Sequence, residues 1–206
     1  AALIKADKIK NPEEKAVRLA ICGRIYNLCG ERQAAEDAFK RAVLLSGAVE
    51  LPSQKSAALY QIANEYFKAG DNNNTSAVLR EIYQTASAFE NKADKSVEII
   101  SIAEIYADMG DAEAAGRMLK ESEEIVYEID DLWFKIQRLI EISQAYQMLE
   151  NGEKAMDVAG QALDTAGKVE ELNRLNFLLS IMDIYIEQGE NSVAEEILTT
   201  ALGIVN

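Results

Sequence analysis

Five tyrosines, Tyr26, Tyr66, Tyr106, Tyr146 and Tyr185, stand 40, 40, 40 and 39 residues apart. That spacing constrains this chain more than any other feature, because a fixed period of 20 to 50 residues is the mark of stacked supersecondary units. Other columns keep the same register. Seven residues before the tyrosine stand Leu19, Leu59, Ile99, Leu139 and Leu178; four before stand Cys22, Ile62, Ile102, Ile142 and Ile181. Three before stand Gly23, Ala63, Ala103, Ser143 and Met182, small in four of the five copies. Four after come Gly30, Gly70, Gly110 and Gly189, whereas the fourth copy has Glu150 there and its glycine two residues on, at Gly152.

Apolar positions at −7, −4, −3 and 0 lie on one stripe of an α-helix. A second stripe follows each glycine: Ala35, Phe39 and Ala42; Ala115 and Leu119; Ala155; Ala194, Leu198 and Ala201. Between the stripes a glycine suited to a left-handed helix stop precedes an acid suited to a helix start, as in Gly70-Asp71 and Gly110-Asp111. Each copy therefore predicts helix, tight turn, helix. The small residue at −3 lets the two helices approach closely. Neither helix can bury its stripe alone, so the hairpins must stack. Only two prolines in 206 residues agree with long uninterrupted helices. The expected organisation is a single repeat domain over 1–206: a partial leading helix at 1–11, then repeats at 12–51, 52–91, 92–131, 132–171 and 172–206.

Leu19-x₂-Cys22-Gly23-x₂-Tyr26 followed by Ala35-x₃-Phe39-x₂-Ala42 resembles the tetratricopeptide-repeat (TPR) signature, with Leu in place of its usual Trp. Ile99-x₂-Ile102-Ala103-x₂-Tyr106 with Ala115-x₃-Leu119 repeats the pattern. The period departs from the standard one of about 34 residues, so longer helices or inter-repeat links are expected. The resemblance implies an all-α, right-handed superhelical solenoid whose first helices line a groove that binds peptides or proteins. In the second copy Asn72-Asn73-Asn74 and Thr75 weaken the second-helix pattern.

Composition narrows the function. With no histidine among 206 residues, Ser-His-Asp and Cys-His catalysis and the usual zinc sites are excluded. A net charge of −14 argues against binding nucleic-acid backbones. No apolar run reaches the roughly 18 residues of a membrane span. Cys22 and Cys29 are separated by ~10.5 Å of helical rise, beyond the roughly 7 Å a disulfide tolerates, and both read as reduced, buried small hydrophobes. No phosphate loop, metal-ligand spacing or isolated catalytic carboxylate is present, so the chain is expected to be no enzyme and to need no cofactor or metal.

Recognition then rests on surfaces. On the first helices the columns at −6, −2 and +1 supply Tyr60, Ile100, Arg24, Asn64, Glu104, Gln144, Asp183 and Phe67, candidate groove residues or packing between neighbouring first helices. The carboxylate-clamp pairing of Lys with Asn is missing, since Tyr60 stands where the lysine would precede Asn64. Repeat three carries twelve acids against four bases. Its Glu121, Glu123, Glu124 and Glu128 form either a docking patch for a basic partner or a solvated face. Trp133 and Phe134, in an expected inter-repeat loop, are a candidate hot spot or a staple onto the next helix. The bases Lys15, Lys55, Lys95, Lys135 and Arg174 recur at helix starts, and Glu50, Glu90, Asp130 and Glu170 precede four of them, which suggests inter-repeat ion pairs.

The reading is a protein-interaction scaffold or adaptor for a protein or peptide, with a basic one in view. Its rival is a ligand-sensing regulatory domain excised from a larger protein. A cytoplasmic setting is expected. The uncovered Leu198, Leu202, Ile204 and Val205 suggest either a continuing parent protein or self-association through the ends.

Overall fold

The computed structural model describes residues 5–205. Among them, ten helices run in chain order: α1 Pro12–Leu28, α2 Arg32–Ser46, α3 Pro52–Lys68, α4 Asn72–Ala86, α5 Lys92–Asp108, α6 Ala112–Tyr127, α7 Leu132–Met148, α8 Gly152–Ala166, α9 Glu171–Glu187 and α10 Asn191–Val205. First helices are 17 residues long and second helices 15 or 16, so each expected repeat is one hairpin. Of the expected leading helix, residues 1–4 lie outside the described residues; 5–6 are helical and Ala6 is buried. The chain divides into two compact units, Ala1–Glu90 and Asn91–Asn206, at a boundary between repeats.

In unit 1, α1 packs on α2 and α3 on α4, while α3 also contacts α1 and α2. In unit 2, the pairs α5–α6, α7–α8 and α9–α10 form in the same way, with α7 against α5 and α6 and α9 against α7 and α8. The predicted stripes fill both cores. Leu19, Leu59, Ile62, Ile99 and Ile142 are fully buried, as are Ala42, Ala115 and Ala155. Asn72 through Asn74 do not stop α4 from forming, because Asp71 caps it by accepting from the Asn74 backbone N–H. Thr75 is buried in the alanine column, and its hydroxyl donates to the Asp71 carbonyl.

The turns are set by position. Gly30, Gly70, Gly110 and Gly189 have φ between 77° and 80°, and Glu150 takes the same left-handed region at 54°. Gly152, two residues later, is instead the first residue of α8. All five turns close with the same bond, from the N–H of Glu31, Asp71, Asp111, Asn151 or Glu190 to the carbonyl of its repeat tyrosine. This is the Schellman arrangement, which satisfies carbonyls left free at a helix end. Asp71, Asp111 and Asn151 then cap the next helix through their side chains; Glu31 does not.

The close approach at −3 is visible at Gly23, where a Cβ would sit 2.7–2.9 Å from the Phe39 ring. In the fourth copy Ser143 occupies the place, and its hydroxyl donates to the Ala155 carbonyl at 2.6 Å. On α10 Leu198 is exposed, as expected, and Ile197 beside it is buried. Two expectations need correction. Cys29 caps α1 at an exposed position, since the helix ends before the period can turn it inward. Trp133 and Phe134 lie in the first turn of α7 rather than in a loop, because Asp131 accepts from both of their backbone N–H groups.

Candidate functional site

The first-helix row is built by equal register on neighbouring helices. In unit 1, Arg24 of α1 meets Glu65 of α3, Nε to Oε2 at 2.6 Å, and Glu65 is only 7% exposed. Lys68 approaches the same carboxylate at 3.7 Å, and Asn27 donates to the Ala69 carbonyl at 2.9 Å. The row's one cation is therefore consumed within the protein. Tyr60, Asn64 and Phe67 are half-buried beside it.

In unit 2 the same row carries Glu104 on α5, Gln144 on α7 and Asp183 on α9. Gln144 and Asp183 are exposed and Glu104 is half-buried. Burial, then Asp108 one turn away, pushes the Glu104 carboxyl above its ordinary range. Among the described residues no cation stands within ion-pair distance of it. Next to it, Glu141 of α7 accepts from buried Arg138 at 2.7 Å. Its carboxyl too is raised, first by burial, with Arg138 lowering it and Glu104 raising it. Ile100 is 3% exposed and belongs to the core beneath this row, so it supports the surface without facing a partner.

The remaining candidates scatter. On α6, Glu123 accepts the Tyr146 hydroxyl and is half-buried; Glu128, which caps the end of that helix, is held by Lys92 at 2.6 Å. Glu121 is half-buried and Glu124 exposed. The four carboxylates do not present one free acidic face, because Tyr146 takes Glu123 and Lys92 takes Glu128. Trp133 is 46% and Phe134 44% exposed. Trp133 packs edge-on against Phe134 and lies 5.9 Å from the buried Phe177 of α9, which makes it a staple with an exposed flank.

The recurring bases do not pair with the acids just before them; among the described residues Glu50, Glu90, Asp130 and Glu170 form no ion pair. Lys135 donates instead to the Tyr127 carbonyl at 3.0 Å, and Arg174 to those of Gly167 and Val169. Lys15 reaches the Asp7 carbonyl and carboxylate, and Lys55 pairs with Glu81 at 2.9 Å. A cation at the C-terminal end of the preceding second helix meets its free carbonyls and the negative end of its dipole.

Two site residues escaped the sequence reading. Glu65 left a signal, being the one charged residue in the column Ile25, Glu65, Ile105, Ala145, Ile184. Arg138 left none, because its column, Arg18, Ala58, Glu98, Arg138, Phe177, has no common character.

No group of three or more Cys, Asp or Glu side chains among the described residues is arranged to hold a metal ion. No described helix is long and apolar enough to cross a membrane. No protein-family model and no curated protein matches the chain. Solved structures do. A Podosopora anserina kinesin-light-chain-type protein of nearly identical TPR-like repeats aligns with TM-score 0.58 and 16% identity, over 95% of this chain and 97% of its own. BtubC (BKLC) from P. vanneervenii aligns at 0.52 and 13%, over 98% and 86%. Ton1535 from Thermococcus onnurineus NA1 aligns at 0.51 and 14%, over 100% and 82%. At these identities the likeness concerns the fold: the chain is an all-α, TPR-like helical repeat.

Proposed function

We propose that this chain is a protein-interaction scaffold whose unit 2 holds a basic peptide segment along the row of Glu104, Gln144 and Asp183. The observation that carries the reading is the contrast between the two units. The row's cation in unit 1 is spent on Glu65, whereas in unit 2 Glu104 keeps a carboxylate without a cation. The charge of the units agrees: residues 91–206 hold 24 acids and nine bases, a net of −15, and residues 1–90 hold 11 acids and 12 bases, a net of +1. A half-buried carboxylate kept without a partner destabilises the fold and so marks a place to look for function. A lysine or arginine laid beside Glu104 would restore the missing partner, and the exposed flank of Trp133 offers a separate anchor for a cation over an aromatic face.

The experiment is fluorescence anisotropy of the full chain with a labelled Lys/Arg-rich 15-mer and its Asp/Glu counterpart. The basic peptide binds and weakens as salt rises. Glu104→Gln with Asp183→Asn lowers affinity by about five- to tenfold, and Glu124→Gln leaves it unchanged. Equal binding by both peptides, or indifference to the row variants, would overturn the reading. Glu104→Gln also carries a stability signature. A carboxyl whose folded pKa is raised favours folding below the ordinary carboxylate range, and that contribution is lost as pH rises. At pH 7 the variant is therefore more stable to urea than the parent, although it binds less well.

A further inference from the structure

The repeat builds the same crevice in each unit, and in unit 2 its charge is reversed. In unit 1 an open crevice of about 430 Å³ lies between α3 and α4, lined by Lys55, Glu81, Thr85 and Ala88, with Glu50 at its edge. In unit 2 its counterpart of about 480 Å³ lies among α6, α7 and α8. The positions of Lys55, Glu81, Thr85 and Ala88 recur there 80 residues further on, as Lys135, Gln161, Thr165 and Lys168. In unit 1 the lysine is neutralised by Glu81 at 2.9 Å, and the lining holds one base against two acids. In unit 2 Gln161 replaces that glutamate, Lys168 replaces the alanine, and the lining holds two bases against one acid, Asp164. Lys135 donates to the Tyr127 carbonyl, and no carboxylate among the described residues lies within ion-pair distance of it or of Lys168. The Tyr127 hydroxyl donates to Gln161 Oε1 at 2.8 Å, which orients the Gln161 amide and leaves its NH₂ as a donor. Leu132 and Leu139 supply apolar lining.

We propose that this crevice binds a carboxylate carried on a small apolar body, its oxygens taken by Lys135, Lys168 and the Gln161 amide and its body resting on Leu132 and Leu139. The two cations attract an anion locally, while the net charge of −15 on the unit around them disfavours anions in general, so the apolar contact decides which carboxylates stay. Both a small organic acid and the C-terminus of a peptide ending in an apolar residue have this chemistry.

The test is a backbone-amide NMR titration of the full chain with 4-methylpentanoate, with the tripeptide Ala-Ala-Leu, and with the neutral amide of each. Both carboxylates shift Lys135, Gln161 and Lys168 saturably, and neither amide does. Gln161→Glu, which recreates the ion pair of unit 1, and Lys168→Ala each weaken binding at least about fivefold. In the reverse direction, Glu81→Gln with Ala88→Lys confers carboxylate-dependent shifts on Lys55. Tighter binding of the tripeptide assigns the site to a chain terminus, and tighter binding of the free acid assigns it to a small molecule. Equal shifts from the neutral amides, or unchanged affinity in both unit 2 variants with otherwise native spectra, would overturn the proposal. The groove variants Glu104→Gln and Asp183→Asn leave these shifts in place, so failure here is separable from failure of the peptide reading.

Discussion

At the scale of single residues, the fourth turn shows what the repeat demands of its sequence. Four of the five turns meet a φ near 80° with glycine, and the fourth meets it with Glu150 at 54°. A side chain in this region costs about 1 kcal/mol through the contact of Cβ with the following carbonyl. Glu150→Gly therefore stabilises unit 2 by up to about 1 kcal/mol, less the extra freedom glycine has in the unfolded chain. Gly110→Ala costs about the same in the opposite direction. Urea denaturation of both variants checks the pair, and a Glu150→Gly variant less stable than the parent would refute the argument. Glu65 belongs to this scale too: one charged residue in an apolar column accounts for the ion pair with Arg24 that sets unit 1 apart.

At the scale of elements, the helices follow from local rules and their spacing follows from one small residue. Gly23 lets α1 lie on the Phe39 ring of α2, and that ring is stacked at 4.0 Å on Tyr66 of α3, so it cannot move aside. Gly23→Ala should cost about 1–3 kcal/mol by overpacking, and Phe39→Leu on the same background should restore part of the loss. Thermal unfolding of the single and double variants reads this directly. If Gly23→Ala alone is neutral, the close approach does not depend on glycine. The recurring bases are likewise features of elements. Their register placed them correctly at helix starts, but Lys135 and Arg174 take carbonyls at the end of the preceding second helix and Lys55 takes Glu81, partners that no sequence column displays.

At the scale of the whole molecule, three of the repeat tyrosines, Tyr66, Tyr146 and Tyr185, couple folding to alkaline pH. Burial, followed by Asp71 and Glu36, pushes the Tyr66 hydroxyl up to about 12. Burial and the bond to Glu123 push Tyr146 higher still, and Tyr185 is raised by burial, then by Asp164 and Glu190. Unfolded tyrosines lose their protons near pH 10, while these three retain them in the folded state. The stability they contribute is therefore whole below that value and falls as pH rises toward 12. Chemical denaturation between pH 8 and 12 should show this fall, and Tyr66→Phe with Tyr146→Phe should flatten it; an unchanged slope in the double variant would remove the tyrosines as its cause.

The sequence alone determined the number of repeats, the hairpin in each, the −7, −4, −3 face that is buried and the turn that closes it. These are local or periodic properties, since a helix face and a left-handed turn are specified by residues within a few positions of one another. Tertiary structure alone decided which polar side chains are consumed and which remain open. Arg24 and Glu104 occupy the same column, yet Arg24 finds a buried carboxylate on the neighbouring helix and Glu104 finds no cation among the described residues. Lys55 and Lys135 likewise share a column and differ because Glu81 faces the first and Gln161 the second. Charge pairing depends on what an adjacent helix presents across a gap of a few ångströms, and a period of forty residues does not record that.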